Sequence, residues 1–289
     1  KIIRIFGYEI IDQSNLTLPL TNLNADDNLS KSGVKSITIP LGVTNITNKI
    51  NSLSIIIRSY TFGDIQNSKV MLDQNKKRIF EFPKIEYTLR TINSIIASCE
   101  HAAKSFEKLK IKIIITDDKS TDENLLKIQK LLEKTNIESE IINLDEKEFF
   151  EEIKTKDING KEISKNMISN MRNILKSIKI SEESNSDLFY FLEDDYIHKK
   201  DAITEMLFTY EKISSQLGKE IFLCPADYPY LYSNIDDTKI FIGNKSHWRT
   251  VKESLITFMT SKKMLNRYYD DLKTMGKIRH HPMEQKLHE

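Results

Sequence analysis

The sequence predicts an α/β fold in which a mostly parallel central sheet is flanked by helices. Short apolar runs alternate along the chain with amphipathic segments of helical period, and one of these runs, Leu188–Leu192, is apolar or aromatic throughout. Such an uninterrupted run indicates a strand that is buried on both faces. Strands of this kind, separated by helices, form a parallel sheet whose ligands bind beyond the carboxyl ends of the strands.

Three segments that precede this run have the β-branched composition of strands, namely Leu53–Tyr60, Ile111–Thr116 and Ile141–Leu144. Helices are predicted between the strands, because apolar residues recur there at spacings of three and four. Ser120 and Glu123 have the spacing of a capping box at the start of the second helix. The apolar stripes comprise Ile85, Leu89, Ile92, Ile96 and Cys99 in the first helix, Leu125, Ile128 and Leu132 in the second, and Ile163, Met167, Met171, Ile174 and Ile178 in the third.

The two ends of the chain alternate less regularly. A helix is predicted from Ala202 to Leu217, and Gly218 is expected to end it. The other predicted elements are strands at Ile2–Ile11, Ser36–Leu41, Ile221–Cys224, Lys239–Ile242 and Ser254–Met259, and a helix at Ser261–Leu272.

Charge and composition disfavour several classes of function. Lys and Arg number 43 against 42 Asp and Glu, so the chain lacks the basic excess of a general nucleic-acid binder. With only eight glycines, it has no Gly-rich loop of the P-loop or dinucleotide-binding kind. No apolar run of about 18 residues occurs, so no transmembrane segment is predicted. A cytoplasmic location is expected, with a peripheral position at the inner face of a membrane as the alternative.

The buried strand at Leu188–Leu192 ends in three consecutive carboxylates, Glu193, Asp194 and Asp195. Two carboxylates about 4 Å apart repel each other by roughly 1 kcal/mol in water and by roughly 4 kcal/mol at an effective dielectric constant of 20. A divalent cation that also carries phosphate oxygens is a natural counter-charge for such a cluster. In the alternative interpretation the carboxylates are solvated turn residues, and Asp195 or Asp201 caps the following helix.

Polar clusters follow three of the predicted strands. They are Arg58-Ser59-Tyr60, Asp117-Asp118 and the acidic run Glu193–Asp195. Because the carboxyl ends of parallel strands meet at one edge of a sheet, we expect these clusters to converge on a cleft.

These motifs, in this order, resemble those of nucleotide-sugar-dependent glycosyltransferases of the GT-A fold, specifically the large inverting family two. The family's Asp-Asp-Gly-Ser-Thr-Asp is matched by Asp117–Asp122, with Lys119 at the usual Gly position. Its Ala-Arg-Asn is matched by Met171-Arg172-Asn173, and its x-Asp-Asp by Glu193-Asp194-Asp195. The resemblance extends from Leu53 to Leu217.

The resemblance implies a nucleotide site and a metal site. Asp118 would accept a hydrogen bond from the nucleobase, Arg172 would face the base or the diphosphate, and Asp194 would lie near the ribose and the metal. Asp195 would bind Mn²⁺ or Mg²⁺, which neutralises the departing diphosphate as a Lewis acid. The alternatives are a turn role for Asp118 and a solvated or carboxylate-paired side chain for Arg172. The implied nucleotide-binding residues are Arg58, Ser59, Tyr60, Asp118, Arg172 and Asp194.

The acceptor side is assigned to the C-terminal part of the chain. Inversion needs a general base, usually a carboxylate, and Glu284 is the first candidate and Glu253 the second. Trp248 and Tyr230 are candidate acceptor-binding residues because sugar faces stack on aromatic rings, and loop packing is the alternative for both.

The expected organisation is an N-terminal extension of unassigned role (1–50) and a GT-A domain (51–289). Within that domain, 51–200 form the nucleotide-sugar-binding half and 201–289 an acceptor half that is expected to be truncated at its C-terminus.

The expected function is that of an inverting, metal-dependent hexosyltransferase, of the type used in polysaccharide biosynthesis. It would move a sugar from a nucleoside diphosphate, UDP being favoured, to a glycan or a lipid-linked acceptor. The alternatives are a catalytically inactive nucleotide- or glycan-binding module of the same fold and, ranked last, a sugar nucleotidyltransferase. That last class usually carries a Gly-rich loop followed by Arg and Lys, which this sequence lacks.

Overall fold

The computed structural model describes the chain in several ranges: 2–5, 8–11, 36–39, 42–61, 83–145, 147–226, 228, 232, 237–252 and 254–279. Four short strands come first and form two antiparallel pairs. They are β1 (Ile2–Ile5) with β2 (Tyr8–Ile11), and β3 (Ser36–Ile39) with β4 (Gly42–Asn45). The single strand predicted at Ile2–Ile11 is therefore two strands, and the one predicted at Ser36–Leu41 ends earlier, at Ile39.

A five-stranded sheet forms the centre of the fold, and a separate two-stranded hairpin lies outside it. The strands are β5 (Ser52–Ser59), β6 (Lys110–Asp117), β7 (Glu138–Asn143), β8 (Leu188–Glu193), β9 (Ile240–Ile242), β10 (His247–Arg249) and β11 (Phe258–Ser261). The sheet has the order β11-β8-β5-β6-β7, in which β11 alone runs antiparallel to its neighbour. β9 and β10 form the hairpin.

The helices cover both faces of this sheet. They are α1 (Lys84–Ser105), α2 (Asp122–Leu132), α3 (Lys165–Glu183), α4 (Ala202–Leu217), α5 (Lys262–Arg267) and α6 (Tyr269–Lys277). The predicted fold class, a mostly parallel α/β sheet flanked by helices, is confirmed. Gly218 ends α4 with a φ of 61°, as its sequence position predicts. Among the described residues, no helix is both long enough and apolar enough to cross a membrane.

Alternating side chains of the buried strands belong to two separate hydrophobic cores. Leu53, Ile55 and Ile57 of β5 pack with α1, α2 and α4, whereas Ile56 packs with α3, α5 and α6 on the other face. All five residues of Leu188–Leu192 are buried, as the apolar run predicts for a strand covered on both sides.

Three predictions near the C-terminal half are wrong in detail. The predicted helix Ser261–Leu272 is two helices with a break at Tyr268. Ile221–Cys224 is not a strand, since only Leu223 forms a bridge, to Met259. The strand predicted at Ser254–Met259 begins at Phe258, because the residues before it form a turn.

The capping box predicted for α2 is also wrong. Thr121, not Ser120, is the N-cap, and its side chain accepts a hydrogen bond from the Asn124 amide at 3.3 Å. The Ser120 hydroxyl instead donates a hydrogen bond to Asp117 at 2.5 Å and accepts one from the Thr61 amide. The nearby carboxylate competes successfully for the serine side chain.

The chain order creates a switch point in the sheet. From β5 the chain proceeds to β6 and β7 on one side, and it then crosses to β8 on the other side of β5. In open α/β sheets, ligands bind in the crevice at the carboxyl ends of the strands where this reversal occurs. The end of β5 and its two neighbours is therefore the expected location of a site.

Helices α3 and α6 approach each other closely at Gly276. A Cβ atom at this position would lie 2.6 Å from Leu175 Cγ and 2.9 Å from the Met171 carbonyl oxygen. We predict that Gly276→Ala lowers the free energy of unfolding by about 1–3 kcal/mol through overpacking, although Ala is the better helix former. Urea denaturation measures the change, and Lys273→Ala on the same helix is the control, with a change within about 0.5 kcal/mol. A stabilised Gly276→Ala variant would contradict the close packing.

Candidate functional site

The register of the sheet brings the three polar strand ends together. Ser59 at the end of β5 is opposite Asp117 of β6, and Arg58 is opposite Glu193 of β8. Neighbouring strands lie about 4.8 Å apart, so the ends of β6 and β8 are separated by roughly 10 Å, with β5 between them. The carboxyl edge, defined here as the ends of β5, β6 and β8 with the residues that follow them, thus concentrates the predicted site residues.

At the β6 side of the carboxyl edge, Asp118 is buried in a charge pair. Arg172 Nη1 donates to both carboxylate oxygens of Asp118 at 3.2 Å, and Ser169 Oγ donates to one of them at 2.5 Å. Each of the two paired residues is 2% exposed. Arg172 also donates to the carbonyl groups of Glu148 and Asp145. The structure brings Asp118 and Arg172 together as partners, and their roles towards a nucleotide stay predictions.

The loops that follow β5 and β6 are tied to each other and to α3. The Asn173 side chain donates to the Ser59 carbonyl at 2.9 Å, and the Tyr60 hydroxyl donates to Asn166 at 3.0 Å. Burial raises the pKa of the Tyr60 phenol, and the Asp118 carboxylate raises it further. Ser59 and Tyr60 are therefore held rigidly at the carboxyl edge, where the prediction places the nucleotide.

At the junction of β5 and β8, the buried Arg58 pairs with Glu193, whose side chain is 37% exposed. Arg58 Nη2 lies 3.3 Å from Glu193 Oε1, and Arg58 Nη1 donates to the Ile256 carbonyl at 3.2 Å. Ile256 and Leu255 have φ values of 55° and 49°, a left-handed conformation that is costly for residues with a Cβ atom. This strained turn presents a carbonyl group to the guanidinium. Within the described part of the chain, Arg58 Nε has no hydrogen-bond partner.

A third charge pair holds the acidic motif at the end of β8, and the sequence did not reveal it. Lys84 Nζ lies 2.7 Å from Asp194 Oδ1 and 3.7 Å from Asp195 Oδ2. Thr88, one turn further along α1, donates its hydroxyl to Asp194 Oδ2 at 2.7 Å. Burial lowers the pKa of the Lys84 ammonium, but Asp194 and Asp195 outweigh burial, so that the pKa lies above its usual value. Lys84 is therefore a cation at this edge.

One sequence feature could have drawn attention to Lys84. It is the first residue of α1, where the helix dipole repels a positive charge. A lysine that is nine-tenths buried at that position requires nearby carboxylates as compensation. The position of those carboxylates, far along the chain, cannot be derived from local patterns.

The donor set of the acidic motif fits a cation held by one protein carboxylate. Both oxygens of Asp194 are engaged by Lys84 and Thr88, whereas the Asp195 side chain is 40% exposed. Magnesium is commonly bound by one or two carboxylates together with substrate phosphates, so Asp195 can serve in that way. The described ranges contain no cluster of three or more His, Cys, Asp or Glu side chains that could hold a metal ion. Asp195 does not cap a helix, because α4 begins at Ala202.

A cleft of about 1250 Å³ begins directly after the acidic motif. Its walls come from the segment after β8, from α4, from residues 221–226 and from the β9–β10 hairpin. Tyr196, His198 and Trp248 line it. Neither Arg172 nor any residue of the three polar clusters lines this cleft, so the clusters meet at the carboxyl edge and not in the cleft. His198 Nε2 is 2.8 Å from the hydroxyl of the fully buried Tyr190. Burial lowers the pKa of His198 to about 4, so the imidazole is neutral at pH 7.

One carboxylate on α4 accepts hydrogen bonds from the β9–β10 hairpin, which forms one wall of the cleft. Glu205 accepts hydrogen bonds from the amides of Asn244, Lys245 and Ser246 at 3.0, 2.8 and 3.2 Å. The Trp248 indole donates to the same side chain at 3.1 Å. Trp248 is thus a cleft residue whose polar atom already has a partner, and its stacking role towards an acceptor stays a prediction.

Three predicted residues lie outside the described residues. They are the two candidate bases, Glu284 and Glu253, and the candidate acceptor-binding residue Tyr230. Their roles stay predictions.

The fold and the carboxyl edge define an α/β protein with a polar site at the switch point of its sheet. No family model matches the sequence, and no curated protein matches it either. Solved structures similar to the chain include one of S. aureus TarS residues 1–349, with 10% identity and a TM-score of 0.41, and a second structure of S. aureus TarS, with 12% identity and a TM-score of 0.40. Another is core-mannan synthase A from Aspergillus fumigatus in an Mn/GDP form, with 10% identity and a TM-score of 0.23.

These similarities cover 75%, 76% and 64% of this chain and only 49%, 29% and 39% of the respective structures. The chain thus spans half or less of the length of each. With TM-scores below 0.5, they assign no family to it.

The turn after β6 contains an exposed residue with an unfavourable backbone conformation, Lys119, with a φ of 71°. We predict that Lys119→Gly raises the free energy of unfolding by about 1 kcal/mol, because glycine has no Cβ atom to strain there. Lys119→Ala is the matched control and should give no such gain, since it keeps the Cβ atom. Urea denaturation compares the two variants, and equal stabilities would show that the conformation is not strained.

The neutral state of His198 makes stability depend on pH. Its pKa of about 4 is below the usual 6.5, so between these values the unfolded chain binds a proton that the folded chain does not. Stability should therefore fall as the pH falls from about 6.5 to about 4, by about 3 kcal/mol in total. Urea denaturation across this range should show a smaller loss for His198→Gln than for the wild type. His247→Gln, which changes an exposed histidine, should retain the wild-type loss, and identical profiles for all three would refute the assignment.

Proposed function

We propose that the protein is an inverting glycosyltransferase that uses a nucleoside-diphosphate sugar, with a UDP-sugar as the favoured donor. The observation that carries the proposal is the position of the acidic motif. Asp194 and Asp195 directly follow the buried strand β8 at the switch point of the sheet, and the next residue, Tyr196, lines a large cleft with aromatic walls. A diphosphate needs cations at such an edge, and a sugar needs a concave surface with aromatic and polar groups.

The nucleotide is proposed to lie over the ends of β5 and β6. Ser59, Tyr60 and Thr61 border this position on one side, and the turn with Lys119 borders it on the other. Asp118 and Arg172 are buried beneath the proposed nucleotide position as a hydrogen-bonded pair, so they would support the backbone on which the nucleotide lies. The base-contacting role that the resemblance gives to Asp118 requires its carboxylate, which is 2% exposed, to become accessible to the base.

The diphosphate is proposed to lie at the acidic motif, where Asp195 would hold Mn²⁺ or Mg²⁺. This cation, when bound, would neutralise the charge that develops on the leaving diphosphate. Lys84 and the positive end of the α1 dipole add to the positive potential at the same point. Arg58 pairs with Glu193, whose side chain is 37% exposed, so Asp195, 40% exposed, is the proposed metal ligand of the motif.

The transfer step places the acceptor in the cleft. An acceptor hydroxyl would attack the anomeric carbon on the face opposite the diphosphate, so that a new C–O bond forms as the bond to the diphosphate oxygen breaks. Its proton would pass to a carboxylate base, for which Glu284 and Glu253 are the proposed candidates. Tyr196, His198 and Trp248 would orient a glycan or lipid-linked acceptor from the cleft walls.

A titration panel tests the nucleotide part of this proposal. Calorimetry with UDP, GDP, ADP and CDP, each with and without Mn²⁺, should give binding for at least one nucleotide, with UDP favoured. The matching nucleotide sugars, offered with a panel of glycan acceptors, should then release nucleoside diphosphate. Binding without release from any sugar would favour the alternative of an inactive binding module, and the absence of binding throughout would refute the proposal.

We predict that Asp195→Ala lowers sugar transfer by about 100-fold or more, because the leaving diphosphate loses its charge compensation. The fold should persist, since the Asp195 side chain is 40% exposed. The measurement is the initial rate of nucleoside diphosphate release, with circular dichroism to verify folding. Glu138→Ala is the control, because it removes an exposed carboxylate at the opposite end of the sheet. An unchanged rate in Asp195→Ala would remove the metal role of Asp195.

A further inference from the structure

Lys84 lies between two carboxylates of the motif that is proposed to receive a divalent cation. Its Nζ is 2.7 Å from Asp194 and 3.7 Å from Asp195, and its side chain is only 10% exposed. Thr88 engages the second oxygen of Asp194 from the next turn of the same helix. The free protein therefore already has a cation at this position, supplied by its own chain.

Lys84 does not neutralise the whole negative charge of the acidic motif. Among the described residues, Arg58 and Lys84 pair with three carboxylates, so one negative charge of the motif has no counter-charge from this part of the chain. The side chains of Asp195 and Glu193 are 40% and 37% exposed, and Glu193 is paired with Arg58. Asp194 is 4% exposed, and each of its carboxylate oxygens has a partner, Lys84 or Thr88. One carboxylate beside an ammonium is a weak ligand set, because a divalent cation prefers several oxygen atoms and is repelled by the lysine.

We infer that Lys84 is a resident counter-ion that prevents a divalent cation from binding to the free protein and reserves metal uptake for the nucleoside diphosphate complex. The inference rests on the proposed function and adds a specific role for a residue that no sequence motif marks. Diphosphate oxygens supply the ligands that Asp195 alone lacks, and they also offer the Lys84 ammonium a negative partner. Lys84 is thus a positioning residue: it keeps Asp194 paired and leaves Asp195 for the incoming metal–diphosphate complex.

The position of Lys84 in the fold supports this role. A cation in the first turn of α1 is repelled by the helix dipole, so Lys84 stays there only while Asp194 and Asp195 compensate it. Thr88 fixes the orientation of Asp194 towards the lysine. The arrangement spans α1 and β8, and both elements are part of the larger hydrophobic core, so neither partner can move away freely.

The first experiment is a titration of the nucleotide-free protein with Mn²⁺, followed by the electron paramagnetic resonance signal of the free ion. The wild type should show no saturable binding at micromolar Mn²⁺. Lys84→Met should bind Mn²⁺ at least about tenfold more tightly, because Asp194 and Asp195 lose their ammonium. Adding Asp195→Ala to Lys84→Met should abolish this gain.

A second substitution of Lys84 and a control substitution at Lys112 complete the experiment. Lys84→Gln keeps a hydrogen-bond donor near Asp194, so it is used if Lys84→Met does not fold, and it should show the same gain in Mn²⁺ affinity. Lys112→Met is the matched control, because Lys112 also lies between two carboxylates, Glu138 and Glu140, at the other end of the sheet. These glutamates are exposed, and no gain in Mn²⁺ affinity is expected.

The second experiment repeats the Mn²⁺ titration in the presence of UDP or of whichever nucleoside diphosphate binds best. The wild type should now bind Mn²⁺ and the nucleotide jointly, each strengthening the other, and this mutual effect should be smaller in Lys84→Met. Tight Mn²⁺ binding by the free wild type, equal to that of Lys84→Met, would overturn the inference. If no nucleotide binds under any condition, the proposed function fails, while the first experiment still decides the role of Lys84.

Discussion

The buried guanidinium of Arg172 is the constraint on which the carboxyl edge depends. It reaches from α3 to Asp118 at the end of β6 and to the carbonyl groups of Asp145 and Glu148 beyond β7. Removing one partner of such a pair typically costs about 3–5 kcal/mol, because the other charge stays buried without compensation. The positions of two strand ends and of one helix are therefore coupled through a single side chain.

The carboxyl edge repeats this arrangement three times, once at the end of β6 and twice at the end of β8. Arg172 compensates Asp118, Arg58 compensates Glu193, and Lys84 compensates Asp194. Each basic residue comes from an element different from that of its carboxylate, so the acidic groups can be concentrated without mutual repulsion opening the edge. Within the acidic motif, Asp194 is buried, whereas the side chains of Glu193 and Asp195 are 37% and 40% exposed.

The sequence was informative where local pattern decides structure. Apolar runs and stripes of helical period located the strands and helices of the central sheet, since burial on both faces leaves little alternative. Polar residues at strand ends located the carboxyl edge. Local pattern failed where competition between groups decides: Ser120 is bound by Asp117 rather than capping α2, and Tyr268 interrupts the C-terminal helix.

Long-range pairing was not predictable in the same way. Lys84 has its partners on β8, and Arg58 has Glu193 and a strained turn at Ile256, neither of which follows from neighbouring residues. Leu255 and Ile256 carry no local preference for positive φ, so the turn they form had no sequence signal. Such contacts become apparent only once the order of strands in the sheet is known.

The attachment of the β9–β10 hairpin has a consequence for how this protein can diversify. Glu205 binds the hairpin through the amides of its tip and the indole of Trp248 in β10, whereas Ile240 and Ile242 in β9 are 70% and 61% exposed. Substitutions in β9 would change the shape of the cleft and leave the three charge pairs unchanged. The specificity of the cleft for its ligand and the chemistry at the carboxyl edge can thus evolve independently.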